Sequence, residues 1–313
     1  LIGKRLYQLV VVMLLSFSTH TLSQDCIGVV PAGSVHDFWL SVKAGSEKAA
    51  QELGYRIYFR GPKDESDISA QRMVIDQVVK NQCIGLLLAP NSKDRADDVA
   101  RLKQLDIPTV YIDRDTGSAE IVSVIATDNY HAGFLAGTKM AKKLGNQGKV
   151  ALLRMEKGVV STDDRERGFK DGATSSGLMI VEDSYLGLKI GDARKNAKEI
   201  LAGKVQQLDG IFTPNESTTL AVLIALASLE TPSGLVHIGF DSNKLLIEAL
   251  SDGRIYGLVI QQPYEMGYRG VYALYQTFLG NPFPKNIPTD SIFATRSNMH
   301  QPKVRKALLM EYK

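Results

Sequence analysis

The sequence predicts an α/β protein made of two similar, doubly wound parallel sheets. Three observations carry this reading. From Cys26 onward, short apolar runs of strand length alternate with longer amphipathic runs of helix length. The alternation is complete by Ala126 and starts again near Asp128, so the pattern occurs twice. Polar and charged residues collect at the carboxyl ends of the apolar runs, which is where ligands sit in open α/β sheets. Strands separated by helices are joined by right-handed crossovers, and such connections make a sheet parallel.

Residues 1–23 stand outside the alternation and are expected to be a secretory signal peptide. Lys4 and Arg5 precede an apolar core from Leu9 to Leu15, and Thr21 and Ser23 are the small residues before a cut at Gln24. The apolar stretch is shorter than the roughly 20 residues needed to cross a bilayer. Gln24 and Asp25 also make a poor context for lipid attachment at Cys26. Export would expose the two cysteines to an oxidising compartment. Cys26 and Cys83 open similar runs, Cys-Ile-Gly-Val-Val and Cys-Ile-Gly-Leu-Leu-Leu. If those strands are parallel neighbours their sulfurs start level, and a disulfide between Cys26 and Cys83 is expected.

The first unit reads as strand Ile27–Val30, helix 38–53 stopped by Gly54, strand 55–59, helix 67–81, strand 84–89, helix 94–105, strand 109–113 and strand 121–126. The second reads as helix 130–144, strand 149–154, helix 165–176, strand 179–184, helix 193–201, strand 210–213, helix 217–229, strand 236–240, helix 244–252 and strand 256–261. A further helix, 264–279, comes after the second unit is complete and is expected to return to the first. Gly280 to Pro288 reads as a turn-rich linker, 291–295 as a last strand and 302–310 as a terminal helix with Pro302 at its start.

The chain has 313 residues, 44% of them hydrophobic, which is enough for two medium domains with cores of their own. The formal charge of +3 includes Lys4 and Arg5, so the exported body is near neutral. With no basic stripe, nucleic acid is not expected as a partner.

The polar strand ends name the candidate site. The first unit presents His36, Asp37, Phe38 and Trp39, then Asp113-Arg114, then Thr127-Asp128-Asn129. The second presents Asp163-Asp164-Arg165, Asn215-Glu216, Asp241-Ser242 and Gln261-Gln262. Carboxylates only accept hydrogen bonds and guanidiniums only donate them, whereas a sugar hydroxyl does both. Aromatic faces pack on the C–H groups of a sugar ring. Asp113-Arg114 can also be read as a structural ion pair, and Phe38 and Trp39 as core residues at a helix start; ligand stacking is preferred for the aromatic pair. His36-Asp37 lacks the further ligands a metal needs. Arg165 is read as inward and Arg167 as outward, Asp128 as a cap or hinge residue, and Glu216 and Asp164 as solvated or behind the ligand groups.

Taken in order, Phe38-Trp39, Tyr111-Ile-Asp-Arg114, Ile125-Ala-Thr-Asp-Asn129, Arg165-Glu-Arg-Gly-Phe169, Phe212-Thr-Pro-Asn215, Ile238-Gly-Phe-Asp241 and Gln261-Gln-Pro263 resemble the periplasmic sugar-binding proteins of the ribose-binding type. Their fold is shared by the effector domains of LacI-type repressors. The resemblance implies two lobes joined by a three-crossing hinge around a ligand cleft. The lobes would be 24–127 with 262–290, and 128–261 with 291–313. It implies sugar contacts from Asp113, Arg114, Arg165, Asn215, Asp241 and Gln261, with Phe38 and Trp39 stacking on the ring. His36 stands where ribose binders carry Asn, and Trp39 is bulkier than their usual Phe, which leaves the identity of the sugar open.

The function expected is that of a monomeric, non-enzymatic binding protein without cofactor or metal. It would close on a pentose or hexose and present it to an ABC importer. The competing expectation is a sensing component for a chemoreceptor or sensor kinase. Arg114 and Arg165 are expected to hold the site carboxylates ionised, which argues against a glycosidase pair. No nucleophile elbow or phosphate loop is present in the sequence. A repressor is not expected, because an export signal stands where a DNA-binding helix-turn-helix would be. Asp241→Ala and Arg114→Ala are each expected to abolish or greatly weaken sugar binding without unfolding the protein.

Overall fold

The computed structural model describes residues 24–34 and 37–309. The expected signal peptide and His36 lie outside the described residues. The first run of elements is β1 (Cys26–Val30), α1 (Asp37–Leu53), β2 (Arg56–Phe59), α2 (Ile68–Lys80), β3 (Cys83–Leu88), α3 (Arg95–Gln104), β4 (Thr109–Ile112) and β5 (Val124–Thr127). The second is α4 (Asn129–Lys143), β6 (Gly148–Arg154), α5 (Val160–Ser175), β7 (Leu178–Tyr185), α6 (Ile190–Ala202), β8 (Gly210–Phe212), α7 (Glu216–Leu226), β9 (Val236–Phe240), α8 (Lys244–Asp252) and β10 (Gly257–Ile260). The chain ends with α9 (Pro263–Phe278), β11 (Asn286–Thr289), β12 (Ile292–Thr295) and α10 (Pro302–Leu309).

Two six-stranded sheets result, ordered β11-β5-β4-β3-β1-β2 and β12-β10-β9-β8-β6-β7. The orders are the same apart from the labels, so β1 to β5 of one lobe correspond to β6 to β10 of the other. In each sheet the strand order reverses beside the first strand, which opens a crevice at the carboxyl ends. Apolar side chains cover both faces of the first sheet. Val29, Val42, Leu87, Val110, Ile112, Met266 and Leu274 are buried under α1 and α9. Val30, Ile75, Val78, Leu86, Leu88 and Leu102 are buried under α2 and α3. As expected from its position, α9 returns to the first sheet. It lies so close to α1 that a Cβ on Gly45 would sit 2.0 Å from the Tyr264 carbonyl oxygen. The matching pair α4 and α5 is equally tight, with 1.9 Å from a Cβ on Gly133 to the Arg165 carbonyl oxygen.

Cys26 lies opposite Cys83 in the β1–β3 pairing, and a disulfide joins them. No described helix is long and apolar enough to cross a membrane.

Three details differ from the sequence reading. The linker read at Gly280 to Pro288 contains β11, which pairs in parallel with β5 at the sheet edge. Pro288 is tolerated there because an edge strand leaves one side of its backbone unpaired. The second sheet is not wholly parallel, since β12 runs antiparallel to β10. Helix α5 starts at Val160 rather than Arg165, which puts Arg165 in its second turn. Its N-cap, Val159, has no capping side chain to betray the start. Instead Asp163 reaches back from within the helix and accepts from the Gly158 N–H at 2.9 Å.

The chain passes between the sheets after β5, after β10 and between β11 and β12. Only Asp290 and Ser291 separate the last two strands. At the first two passages Thr127 Oγ1 donates to Gln261 Oε1 at 2.8 Å, so equivalent ends of the two halves touch.

Candidate functional site

The site is built on two equivalent turns. Asp113 follows β4 with φ of 66°, and Asp241 follows β9 with φ of 65°. Both lie in the left-handed region, which Asp tolerates better than most residues. The Asp113 N–H donates to the Ile125 carbonyl at 3.0 Å, and the Asp241 N–H to the Val259 carbonyl at 2.8 Å. Each turn is thereby tied to the neighbouring strand of its own sheet. Backbone held off its preferred basins clusters at binding and catalytic sites, where surrounding structure over-determines it.

In the first lobe the turn carries a chain of charges. Arg114 Nε donates to Asp113 Oδ2 at 3.1 Å, and its Nη2 donates to Glu65 Oε2 at 2.6 Å. Glu65 Oε1 in turn accepts from Trp39 Nε1 at 3.4 Å. The Trp39 indole is buried and packs edge-on against Phe38, with ring centroids 4.7 Å apart. Phe38 and Trp39 thus belong to the core cluster under α1, and the indole N–H faces the charged chain. Burial pushes the Asp113 carboxyl above its usual range, against the pull of Arg114 and Arg165. This corrects the expectation that Arg114 and Arg165 hold the site carboxylates ionised with no raised pKa: for Asp113, desolvation outweighs both arginines. For Arg114, burial acts against the charged form, but Glu65 and Asp113 outweigh it and hold the guanidinium above its ordinary value.

In the second lobe the equivalent turn is held mainly by amides and backbone. Asp241 Oδ1 accepts from Gln261 Nε2 at 2.8 Å, and its Oδ2 accepts from the Glu216 N–H at 3.2 Å. Glu216 Oε1 accepts from Asn243 Nδ2 at 2.8 Å, which places its carboxylate behind Asp241. Arg165 is buried, with Nε donating to Asn129 Oδ1 at 2.8 Å and Nη1 to the Pro214 carbonyl at 3.0 Å. Its guanidinium carbon sits 3.9 Å from the centroid of the Phe240 ring. Burial lowers the pKa of Arg165, opposed by Asp241 and Asp113. Asn215 is the N-cap of α7: its Oδ1 accepts from the Thr218 N–H at 3.2 Å and its Nδ2 donates to Ser217 Oγ at 2.9 Å.

The two halves act on one another. Asp113 experiences the charges of Arg165 and Asp241, which belong to the opposite lobe. Thr127, Gln261 and Asp241 form a continuous hydrogen-bonded path from the chain crossing to the second turn. Arg167 pairs with Asp164 at 2.9 Å on the exposed side of α5, away from this cluster. Tyr185 lies against the Arg154 guanidinium, 4.2 Å from its carbon to the ring centroid. Asp128 caps α4 by accepting from the His131 N–H at 3.1 Å.

Two residues of the cluster were not singled out as ligand groups in the sequence. Glu65 lies in the loop after β2, and the ends of β2 and β3 are not among the strand ends that name the candidate site. Asn129 stands in the strand end Thr127-Asp128-Asn129, and its side chain positions Arg165.

Residues 27–282 match the family defined as the periplasmic binding protein domain. The ribose import binding protein of Escherichia coli is 27% identical over 298 residues, covering 92% of this chain and 97% of that protein. Among solved structures, an ABC transporter solute-binding protein of Agrobacterium vitis with bound D-fucose is 30% identical. It superposes with a TM-score of 0.82 over 90% of this chain and 99% of its own. A second solute-binding protein of that organism, bound with α-D-tagatopyranose, is 25% identical. Its TM-score is 0.83, over 91% of this chain and 99% of its own.

Proposed function

This chain belongs to the periplasmic binding protein family, and from that premise we propose that it is a solute-binding protein for a pentose or hexose. In this reading the lobes 24–127 with 262–290 and 128–261 with 291–313 close on the sugar by hinge motion. The closed form delivers it from the periplasm to an ABC importer, and no bond of the guest is made or broken. Asp113, Arg114, Arg165, Asn215, Asp241 and Gln261 supply the hydrogen bonds, and Phe38 and Trp39 supply an apolar face.

The observation that carries the proposal is the pair of equivalent left-handed turns, Asp113 and Asp241, with the charges of Asp241 and Arg165 felt at Asp113 from the opposite lobe. Each delivers a carboxylate beside an arginine or amide donor, the alternation of acceptors and donors that a polyol saturates. Hydrogen bonds to charged groups contribute about 1.5–3 kcal/mol each. Four charged groups and two amides support micromolar binding, about −8 kcal/mol, after the costs of association. The relatives with bound D-fucose and tagatose point to the same class of guest.

The test is a panel of pentoses and hexoses, titrated by calorimetry and by the emission of Trp39, the single tryptophan of the chain. The proposal expects at least one micromolar or tighter ligand and an emission shift, because the indole N–H is part of the charged chain. Silence across the whole panel would refute it.

A further inference from the structure

We propose that Glu65 is a specificity-determining residue of this cleft, one that takes a hydrogen-bond donor of the sugar and rejects sugars carrying an acid group. The inference rests on the reading of the cleft as a sugar site and adds a ligand class to it.

The first support is how firmly Glu65 is placed. Its backbone carbonyl accepts from Asn91 Nδ2 at 3.0 Å, and the same amide donates to the Asp67 carbonyl at 3.1 Å. Asn91 is itself fixed by its N–H donating to Gln71 Oε1 at 3.1 Å. Gln71 is fully buried, and its Nε2 donates to the Pro31 and Ala89 carbonyls at 3.0 and 2.8 Å, at the ends of β1 and β3. The loop after β2 is thus bolted to the two strand ends that flank the crevice. The carboxylate is then oriented at both oxygens, Oε1 by Trp39 and Oε2 by Arg114. A site residue held this way is preorganised, which lowers the cost of using it.

The second support is access. The Glu65 side chain keeps 36% of its surface exposed, against 7% for Asp113 on the same arginine. Of the two carboxylates that share Arg114, Glu65 is the one with surface left for a guest.

The third is charge. Among the described residues, the charges acting on Asp113 are Glu65 and Asp241 against Arg114 and Arg165, which with Asp113 itself makes three carboxylates against two guanidiniums. Arg114 is already divided between two acids, so it offers little to an incoming anion. A carboxylate only accepts, so the guest must bring a hydroxyl donor to it, and a uronic acid would bring like charge instead.

The experiment compares wild type with Glu65→Gln by calorimetry. The ligands are neutral pentoses and hexoses and the uronic acids that correspond to them, D-glucuronate and D-galacturonate. The glutamine keeps the size and the contact to Trp39 while removing the charge. Wild type is expected to bind a neutral sugar at least 100-fold more tightly than its uronate. Glu65→Gln is expected to weaken the neutral sugar by about tenfold or more, the size of one charge-assisted hydrogen bond, and to shrink the neutral-to-uronate ratio by about tenfold. The ratio is taken on one sample, so its folded fraction cancels. A wild type that prefers the uronate overturns the inference, as does a variant whose neutral affinity stays within twofold of wild type. If wild type binds neutral sugars and the variant's ratio is unmoved, Glu65 is the wrong residue and the sugar site stands. If wild type binds no sugar in the panel, the sugar site falls and this inference with it.

Discussion

Asp113 and Asp241 leave their strands through the same turn, yet their side chains are held by different means. Around Asp113 the partners are charged: Arg114 bridges to Glu65, and an indole N–H closes the chain. Around Asp241 the partners are an amide and a backbone N–H, and the nearby Arg165 is satisfied by Asn129 and a carbonyl. Repeated topology therefore dictates where an acid sits, but not how it is neutralised. The first lobe keeps its acids by ion pairing, which is strong and costly to break. The second keeps its acid with neutral dipoles, which are individually weaker and easier to exchange for those of a guest.

Arg114→Ala tests the contrast most severely. It strands Glu65 and Asp113 without their shared cation and is expected to lower sugar affinity more than 100-fold and stability by about 3 kcal/mol. Asp241→Asn is expected to match the affinity loss in calorimetry while shifting stability by less than about 1 kcal/mol in denaturant melts. Asn suits the left-handed turn as well as Asp does, whereas the alanine first envisaged there would add backbone strain. Equal stability losses for the two variants would dissolve the distinction between the lobes.

The covalent link comes next. The disulfide spans a sequence separation of 57 and lies within the first lobe only. Reduction, or Cys26→Ser with Cys83→Ser, is expected to lower stability by about 2–4 kcal/mol. If the lobes melt separately, the transition that moves should be the one that exposes Trp39. His237 probes the second lobe. It is buried beside Thr213, with a pKa lowered by burial to about 4. The unfolded chain binds a proton near pH 6.5 and the folded one does not until about pH 4. Stability is therefore present above pH 6.5 and falls by up to about 3 kcal/mol as pH drops through that window. His237→Gln should flatten that acid limb in urea melts at pH 4.5 and 7. Thr127→Val has the smallest expected effect. It removes the hydroxyl that joins the crossings and should cost about 1 kcal/mol or less, seen as a change of a few fold in sugar affinity.

Much of this arrangement was legible in the residues because parallel strands buried on both faces cannot hold charge except at their ends. That rule points to Asp113, Arg114, Asp241 and Gln261 from the sequence alone. It also aligned Cys26 with Cys83, since both open runs of the same composition. Other features carried no comparable local signal. Glu65 is an ordinary acid in a loop, and only the fold brings it to Arg114, 49 residues later. The start of α5 was hidden because Val159 is not a capping residue. β11 was hidden because a proline inside it is permitted only by its edge position. Phe38 and Trp39 combine core packing with proximity to the charges, and a residue pattern cannot separate those two roles.

The passage from β11 to β12 has a mechanical consequence. With only Asp290 and Ser291 between them, the Cα atoms of Thr289 and Ile292 can stand at most about 11 Å apart, and the two ends are anchored in different sheets. Beside it, the Thr127–Gln261 bond pins the other two strands together. A tether that short would restrain sliding more than swivelling, like the pin of a pair of calipers. In the proposed closure the gap between the Asp113 and Asp241 tips would follow one angle, and the girth of the guest would set how far the jaws shut.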